Sequence, residues 1–502
     1  MKSFIKNNRT ELIIFLLLII LTLGLRLYRI DAYMTFLGDE GRDALMIKRI
    51  LTTFDIPLIG PPTSVGNMYL GPLYYYMMAV AMALWWLNPI AAAVMVAVIG
   101  TLSVGFIYYL VRNWFGKVPA LISAFLYAIS PVNITYSHSS WNPNPAPFFA
   151  LLSVAGVYWT RQKKNFLYFI LSGIGLAFAV QMHYLALILV PVIGVLWLYE
   201  LFWQVKQKAN YAYFWSGTAG AIFSFLFLMS PLLIFDIKHN WANFRAISTF
   251  FGDRQTTVNL NLLNTFGRIP ELYFETFVGR YAAGEVMYLQ WIIGVLILVP
   301  VVYFLYQLYK KRFDWKLFVV SSWVVIGVAG LSLYKQNIYD HYLGFLNPVL
   351  YILLAAVCWI FSQMTGITKK ILLLLFGLLC AWIVVVNLQK SPLLVPPNNQ
   401  YQRAQKVADF IIQDAKGEQF NFALIAEHNY DAAYQYVLDI KGSKPLQVPF
   451  DITEQLYVVC EDAVCNPVGH PKYEIAAFGW SKVEMEQTVE GVRVFKLVHN
   501  AP

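Results

Sequence analysis

The chain has 502 residues, 59% apolar and 13% charged, with a formal net charge of +9. Charged residues are about half as frequent as the roughly 25% of soluble domains, and a soluble chain this long would have to build its surface from apolar side chains. This excludes a soluble protein in favour of one whose solvent is lipid, and basic residues scattered between apolar runs, rather than lining one face, exclude nucleic-acid binding.

At the start of the chain, Lys2, Lys6 and Arg9 precede an apolar run from Leu12 to Leu27. No small-residue cleavage site follows, so the run reads as a retained first span with a cytoplasmic start. Further runs of spanning length lie at 89–111, 117–136, 145–160, 165–182, 184–203, 211–235, 289–308, 315–334, 342–361 and 370–388. Residues 70–87, opening Leu70-Gly71-Pro72-Leu73-Tyr74-Tyr75-Tyr76, form one more apolar segment. Short cytoplasmic loops carry the excess of Lys and Arg, and this rule decides whether the segment crosses. If 70–87 lies in the outer leaflet, the loops holding Arg112/Lys117, Arg161/Lys163/Lys164, Lys206/Lys208, Lys310/Lys311/Arg312/Lys316 and Lys369/Lys370 all fall inside. If it crosses, all five face outward. The sequence therefore predicts an all-α polytopic membrane domain over residues 1–390, with about 11 spans and an outer juxtamembrane helix. Loops 31–69, 137–144, 236–288 and 335–341 then share the outer side with the tail.

The tail, 391–502, opens on a linker marked by Pro392, Pro396 and Pro397. Helical periodicity follows over 401–415, strand patterns at Phe420–Ala426 and Leu456–Cys460, and an alternating strand at Gly491–Val498. This predicts a small extracytoplasmic α/β domain. Cys460 and Cys465 bracket a short loop and outside the membrane read as a disulfide, ahead of a free thiol pair; two thiols and an unplaced His470 make a poor zinc site.

The chemistry-bearing stretch is Gly38-Asp39-Glu40-Gly41-Arg42-Asp43, which puts three carboxylates and a guanidinium within five positions directly after a span. Acids at an apolar boundary are expensive unless they pair or function. One acid can act as a general base, kept ionised by Arg42 and oriented by its neighbour; the bland alternative is a pair of acids that caps the next helix. Around this stretch the predicted outer loops offer further groups. Ser137-His138-Ser139-Ser140-Trp141-Asn142-Pro143-Asn144 supplies His138, Trp141 and Asn142 for sugar hydroxyls and ring stacking, or else is a stiff turn with an interface tryptophan. His183 is either a ligand contact or a hydrogen-bonded core histidine. Arg42, Asp43, Arg280, Lys335, Tyr339, His341 and Tyr342 complete the set of candidate substrate contacts, with Arg42, Lys335, His341 and Arg280 the candidate cations. The segment 236–288, with Asp236, Asp253, Arg254 and Arg268 among its polar residues, reads as surface helices over the site or as a plain connector.

An Asp-Glu pair in the first outer loop followed by the Pro72-Leu73-Tyr74-Tyr75-Tyr76 helix resembles the GT-C superfamily of membrane glycosyltransferases, nearest the protein O-mannosyltransferases and the aminoarabinose transferase of lipid A. Arg112-Asn113-Trp114-Phe115-Gly116 and a following helix ending at Ser130-Pro131 fit the same pattern. The resemblance implies a GT-C fold and a polyprenyl-phosphate-linked sugar donor. It also implies a hydroxyl acceptor on a lipid, glycan or protein, with Asp39 as the catalytic acid and Glu40 orienting it. It places the reaction at the outer face of the cytoplasmic membrane, as an inverting hexosyl or pentosyl transfer. It further implies that the run Tyr334–Tyr342 contacts the carrier phosphate. The chain departs from these relatives at Asn67-Met68-Tyr69-Leu70, where a lysine or a His-Pro-Pro-like element would stand. No cofactor is expected; Asp39, Glu40 and Asp43 offer oxygen ligands to Mg or Mn, but no acid stands in the second loop to join them, so a metal is disfavoured. The competing function is a transporter or flippase of lipid-linked saccharides, which would instead bring polar residues to mid-membrane in repeated halves.

Overall fold

The computed structural model describes residues 9–63, 68–207, 211–252 and 262–500. Lys2, Lys6, Asn67, Lys208, Asp253 and Arg254 lie outside the described residues.

All eleven predicted runs are helical. Among the described residues seven helices are long and apolar enough to cross a membrane: Arg9–Leu27, Pro89–Phe115, Tyr184–Lys206, Tyr211–Lys238, Met287–Tyr309, Trp315–Ser332 and Gly366–Leu394. The bent pair Lys117–Ile129 and Pro131–Ser137, which meet at 61°, passes the same test when taken together and makes an eighth if it counts as one span. Pro131 has no N–H and its ring collides with the preceding turn, so the helix breaks in front of it. The other three runs are Ala146–Lys163, Tyr168–Met182 and Asn347–Ser362. Asn347–Ser362 is buried on nearly all sides and is the centre of the bundle, as a helix apolar all round must be. Tyr211–Lys238 is the opposite case and leaves Ile222, Phe223, Leu226 and Phe227 exposed, an apolar face suited to lipid.

The 70–87 segment contains the helix Leu73–Leu84, whose 12 residues reach only ~18 Å against the ~30 Å of a hydrocarbon core. At that length the helix by itself falls short of a straight crossing. The basic loops gather at one end of the bundle. Arg112 and Lys117 both pair with Glu11, Lys316 donates to the Trp114 carbonyl at 2.9 Å, and Arg161 binds Glu200 at 2.8 Å beside the Trp315 ring.

At the other end sit the helix Gly38–Thr53, which the sequence reading left as loop, and the C-terminal domain. Ala44, Ile47 and Ile50 recur on one helical face and are buried. The domain is a four-stranded sheet of β1 (Asn421–Ile425), β2 (Gln455–Cys460), β3 (Ser481–Val489) and β4 (Val492–His499), in the order β1-β2-β4-β3. β1 and β2 are parallel; the other pairs are antiparallel. The helix Gln400–Ala415 matches the predicted 401–415, while β3 and the helix Ala432–Ile440 were not read from the sequence. Cys460 and Cys465 are joined by a disulfide.

The domain is fastened to the membrane-facing part at several points. Asn399 N donates to Ala32 O at 3.0 Å, Gly38 N to Asn429 Oδ1 at 2.9 Å, and Lys48 pairs with Asp439 at 2.7 Å. The closest approach is at Gly41, where a Cβ would lie 2.2 Å from the backbone nitrogen of Ala433. Only glycine permits that packing.

Candidate active site beside the acid helix

Gly38–Thr53 begins with its acids in the first turn, where they complement the positive end of the helix dipole. Adjacent side chains on a helix point about 100° apart, so neighbours in sequence meet different surroundings. Glu40 turns inward. It is buried, accepts from Leu37 N at 3.0 Å and from Ser139 Oγ at 3.2 Å. It thus caps its own helix and ties the 137–144 loop to it. Burial pushes its carboxyl upward, against the pull of those hydrogen bonds.

Asp39 is the exposed member, with 43% of its side chain accessible. Its Oδ1 accepts from Arg42 Nη1 at 2.8 Å and from the Tyr430 hydroxyl at 2.8 Å. No described residue donates to Oδ2. Arg42 forks: its Nε and Nη2 reach Asp43 Oδ1 at 2.9 and 2.7 Å. Asp43 is wholly buried and receives a further hydrogen bond from Tyr75 at 3.2 Å. Burial outweighs the guanidinium and pushes the Asp43 carboxyl up to about 7. Among the described residues no group of three His, Cys, Asp or Glu side chains converges as a metal-holding cluster: Glu40 turns to Leu37 N and Ser139, and Asp43 is linked to Asp39 through the shared Arg42.

A cavity of about 540 Å³ opens beside Asp39, within the ~300–1,000 Å³ range of small-molecule sites. It gathers Asp39, Arg42, Trp141, Asn142, His183, His341 and Tyr342 from four separate stretches of chain. Asn142 is set by its bond to Met182 O at 2.7 Å, and His183 accepts from Leu185 N at 3.2 Å through Nδ1. The His183 ring lies 4.6 Å from Tyr342 and the Trp141 ring 4.4 Å from His341, centroid to centroid. Burial drives His183 down to about 3 and His341 down to about 4. His341 therefore stands neutral near pH 7, which corrects its assignment as a cation; it offers hydrogen bonds and a ring face.

Five candidates lie elsewhere, Asp43 among them, since it is wholly buried and lines no cavity beside Asp39. His138 is buried with Nδ1 against the Ile134 carbonyl at 2.9 Å and lines neither this cavity nor its neighbour. Arg280 and Tyr339 line a separate cavity of about 850 Å³ with Glu271, Glu275 and Glu285. Lys335 lines none of these three cavities. The helix Ala242–Gly252 in the predicted covering segment does reach the site, through Phe250.

Sequence reasoning missed Tyr430, Ser139 and Tyr75. Tyr75 belongs to the aromatic run already singled out. Tyr430 follows strand β1 in a polar loop, a common place for functional side chains, but nothing in the sequence ties it to Asp39. A second cavity of about 280 Å³ shares Asp39, Trp141 and Tyr430 with the first and is completed by Thr35, Ser139 and Asn429, among others.

Among solved structures, this arrangement of helices and C-terminal domain matches ArnT from Cupriavidus metallidurans bound to undecaprenyl phosphate. The TM-score is 0.59 at 11% identity, over 97% of this chain and 98% of that one. The chain has the GT-C fold. The oligosaccharyltransferase AglB from Archaeoglobus fulgidus, in complex with an inhibitory peptide and a dolichol-phosphate, shares it with a TM-score of 0.55 at 14% identity, over 90% of this chain and 69% of that one. The sequence model of the dolichyl-phosphate-mannose-protein mannosyltransferase family matches residues 70–235, a stretch that runs from the juxtamembrane helix through Tyr211–Lys238. No curated protein matches the chain by sequence. Identities this low speak for the GT-C fold, and the chemistry rests on the site itself.

Proposed function

We propose that the chain is a glycosyltransferase that moves a hexose or pentose from a polyprenyl-phosphate carrier to an acceptor hydroxyl at the outer face of the cytoplasmic membrane. The observation that carries this reading is Asp39. One carboxylate oxygen is held by Arg42 and Tyr430, while the other takes no hydrogen bond from a described residue, on the wall of a 540 Å³ cavity at the end of the first span.

An acceptor hydroxyl is a weak nucleophile, and a carboxylate within hydrogen-bond reach assists it by taking its proton. Asp39 Oδ2 receives that proton as the acceptor oxygen bonds to the anomeric carbon. The bond from that carbon to the phosphate oxygen breaks, and its electron pair leaves on the phosphate. Attack opposite the leaving group inverts the centre. Arg42 fixes Oδ1 of Asp39 at 2.8 Å, and its partial exposure, 26% of the side chain, leaves it a face toward the cavity where the departing phosphate gathers charge. Trp141 supplies a ring face for a sugar, with His183, His341, Tyr342 and Asn142 as its polar surround. Glu40 serves as the brace of the acid helix, supporting Asp39 through the fold and not by contact. The reaction needs no divalent cation in this reading, since the acids have protein partners and the guanidinium supplies the charge. The basic loops at the opposite end of the bundle support the outer placement of the site.

The decisive assay supplies purified protein in lipid with a panel of polyprenyl-phosphate sugars and a membrane-lipid acceptor extract, in the presence of EDTA. Transfer by the native chain and a loss of at least about a hundredfold in Asp39→Asn is the expected result. Equal transfer by the variant removes Asp39 from the chemistry. Movement of labelled carrier lipid across vesicles without sugar transfer favours a flippase.

A further inference from the structure

The acid helix meets the C-terminal domain through a contact the reaction described above does not require. Tyr430 stands on the loop after β1, and its ring lies over Gly38 so closely that a Cβ there would sit 2.3 Å from Tyr430 Cδ1. Its hydroxyl donates to Asp39 Oδ1 at 2.8 Å and receives Arg42 Nη1 at 3.2 Å. The loop is itself held: Asn429 Oδ1 accepts from Gly38 N and from Tyr430 N, both at 2.9 Å, and Asn429 Nδ2 donates to Glu461 at 2.9 Å. Tyr434 fixes the other oxygen of Glu461 at 2.7 Å. A chain of hydrogen bonds therefore runs from the sheet of the C-terminal domain to one oxygen of Asp39.

The same loop borders two cavities, since Tyr430 lines both. The larger, of about 540 Å³, holds Arg42, His183, His341 and Tyr342; the smaller, of about 280 Å³, holds Thr35, Tyr136, Ser139, His428 and Asn429. Asp39, Trp141 and Tyr430 belong to both. The smaller space is just under the usual range for a drug-sized ligand; its accessible surface is mostly apolar, broken by the side chains of Thr35, Tyr136, Ser139 and Asn429, with Trp141 on its wall. Such a lining suits one sugar ring, which offers hydroxyls around its rim and a C–H face for stacking.

Resting on the glycosyl-transfer reading, we propose that Tyr430 is a positioning residue of the reaction centre, contributed by the C-terminal domain, and that the smaller cavity receives a sugar ring of the acceptor. With Oδ1 tied to Tyr430 and Arg42, Oδ2 of Asp39 is the oxygen left for the acceptor hydroxyl. Donor in the larger cavity and acceptor in the smaller then meet at the one carboxylate both share. The phenol, on the wall of both cavities, also keeps water from taking the acceptor's place.

The test compares Tyr430→Phe with the native chain and Asp39→Asn, using the full-length protein in lipid and the polyprenyl-phosphate sugar donor consumed in the assay above. Phenylalanine keeps the ring on Gly38 and removes only the hydroxyl. Three quantities are read: the ratio of free sugar released to sugar transferred, the KM for donor and the KM for acceptor. The expected result is a ratio raised about tenfold, a raised acceptor KM and an unchanged donor KM. The ratio does not depend on how much protein is folded, so a merely structural role leaves it unmoved. A Tyr430→Phe chain with the native ratio and both native KM values overturns the proposal and leaves the glycosyl-transfer reading standing. A native chain that consumes no donor in the panel, or an Asp39→Asn chain as active as the native one, overturns both.

Discussion

Asp43 has no exposed surface, yet only one of its oxygens is bonded by a described residue, while Oδ2 is buried with no hydrogen bond among the described residues. Its carboxyl is raised from an ordinary 3.8 to about 7, so between those values the folded chain holds a proton that the unfolded chain has released. Stability from this group is complete below about 4 and is lost as pH rises through about 7. Melting curves across that range should show native stability falling relative to Asp43→Asn, which has no such proton. Arg42 poses a different question, since its fork reaches two acids at once. Lysine has one point charge and no fork, so Arg42→Lys should lower the transfer rate by about a hundredfold through misplacement of Asp39, in an assay of turnover at saturating donor. At this scale the sequence disclosed the acids and Arg42 as a group, because charge at an apolar boundary is conspicuous. It did not disclose that Glu40 and Asp43 face inward, since their surroundings come from Ser139 and Tyr75, set by packing between distant elements.

The helix Gly38–Thr53 went unread as an element for a similar reason. It is short of apolar residues, and what buries it is the helix Ala432–Ile440 of the C-terminal domain. Gly41 marks the contact. Gly41→Ala would drive a methyl against the backbone of Ala433, which cannot swing aside as a side chain can. A loss of about 1–3 kcal/mol is expected, seen as a lower melting temperature and faster proteolysis of the C-terminal domain. Gly24→Ala is the control, because nothing lies within 4 Å of its added Cβ. The spans were legible because lipid imposes a long apolar run on any crossing helix. Strand β3 was not, since it is an edge strand with mostly exposed residues.

For the molecule as a whole, the reading that keeps residues 70–87 from crossing puts all five basic loops on one side, and the helix there has 12 residues. The two ends of the bundle are chemically distinct, with Arg112, Arg161 and Lys316 at one and Asp39, Trp141 and Tyr430 at the other. The side each end faces can be read with single cysteines. An impermeant maleimide applied to intact cells should label His428→Cys, whose side chain is 89% exposed, and should spare Lys163→Cys until the membrane is opened. The opposite pattern would place the acids in the cytoplasm. What the sequence could not convey is any pairing across the chain's full length, and the bond between Asp39 and Tyr430 spans 391 positions. Synthesis runs from one to the other. The acid helix leaves the ribosome early, but the phenol that steadies its first carboxylate is made only after every span has been built. A chain that stops short of Tyr430 thus keeps Arg42 but lacks the phenol on that oxygen, and this contact is completed only once the C-terminal domain has been made.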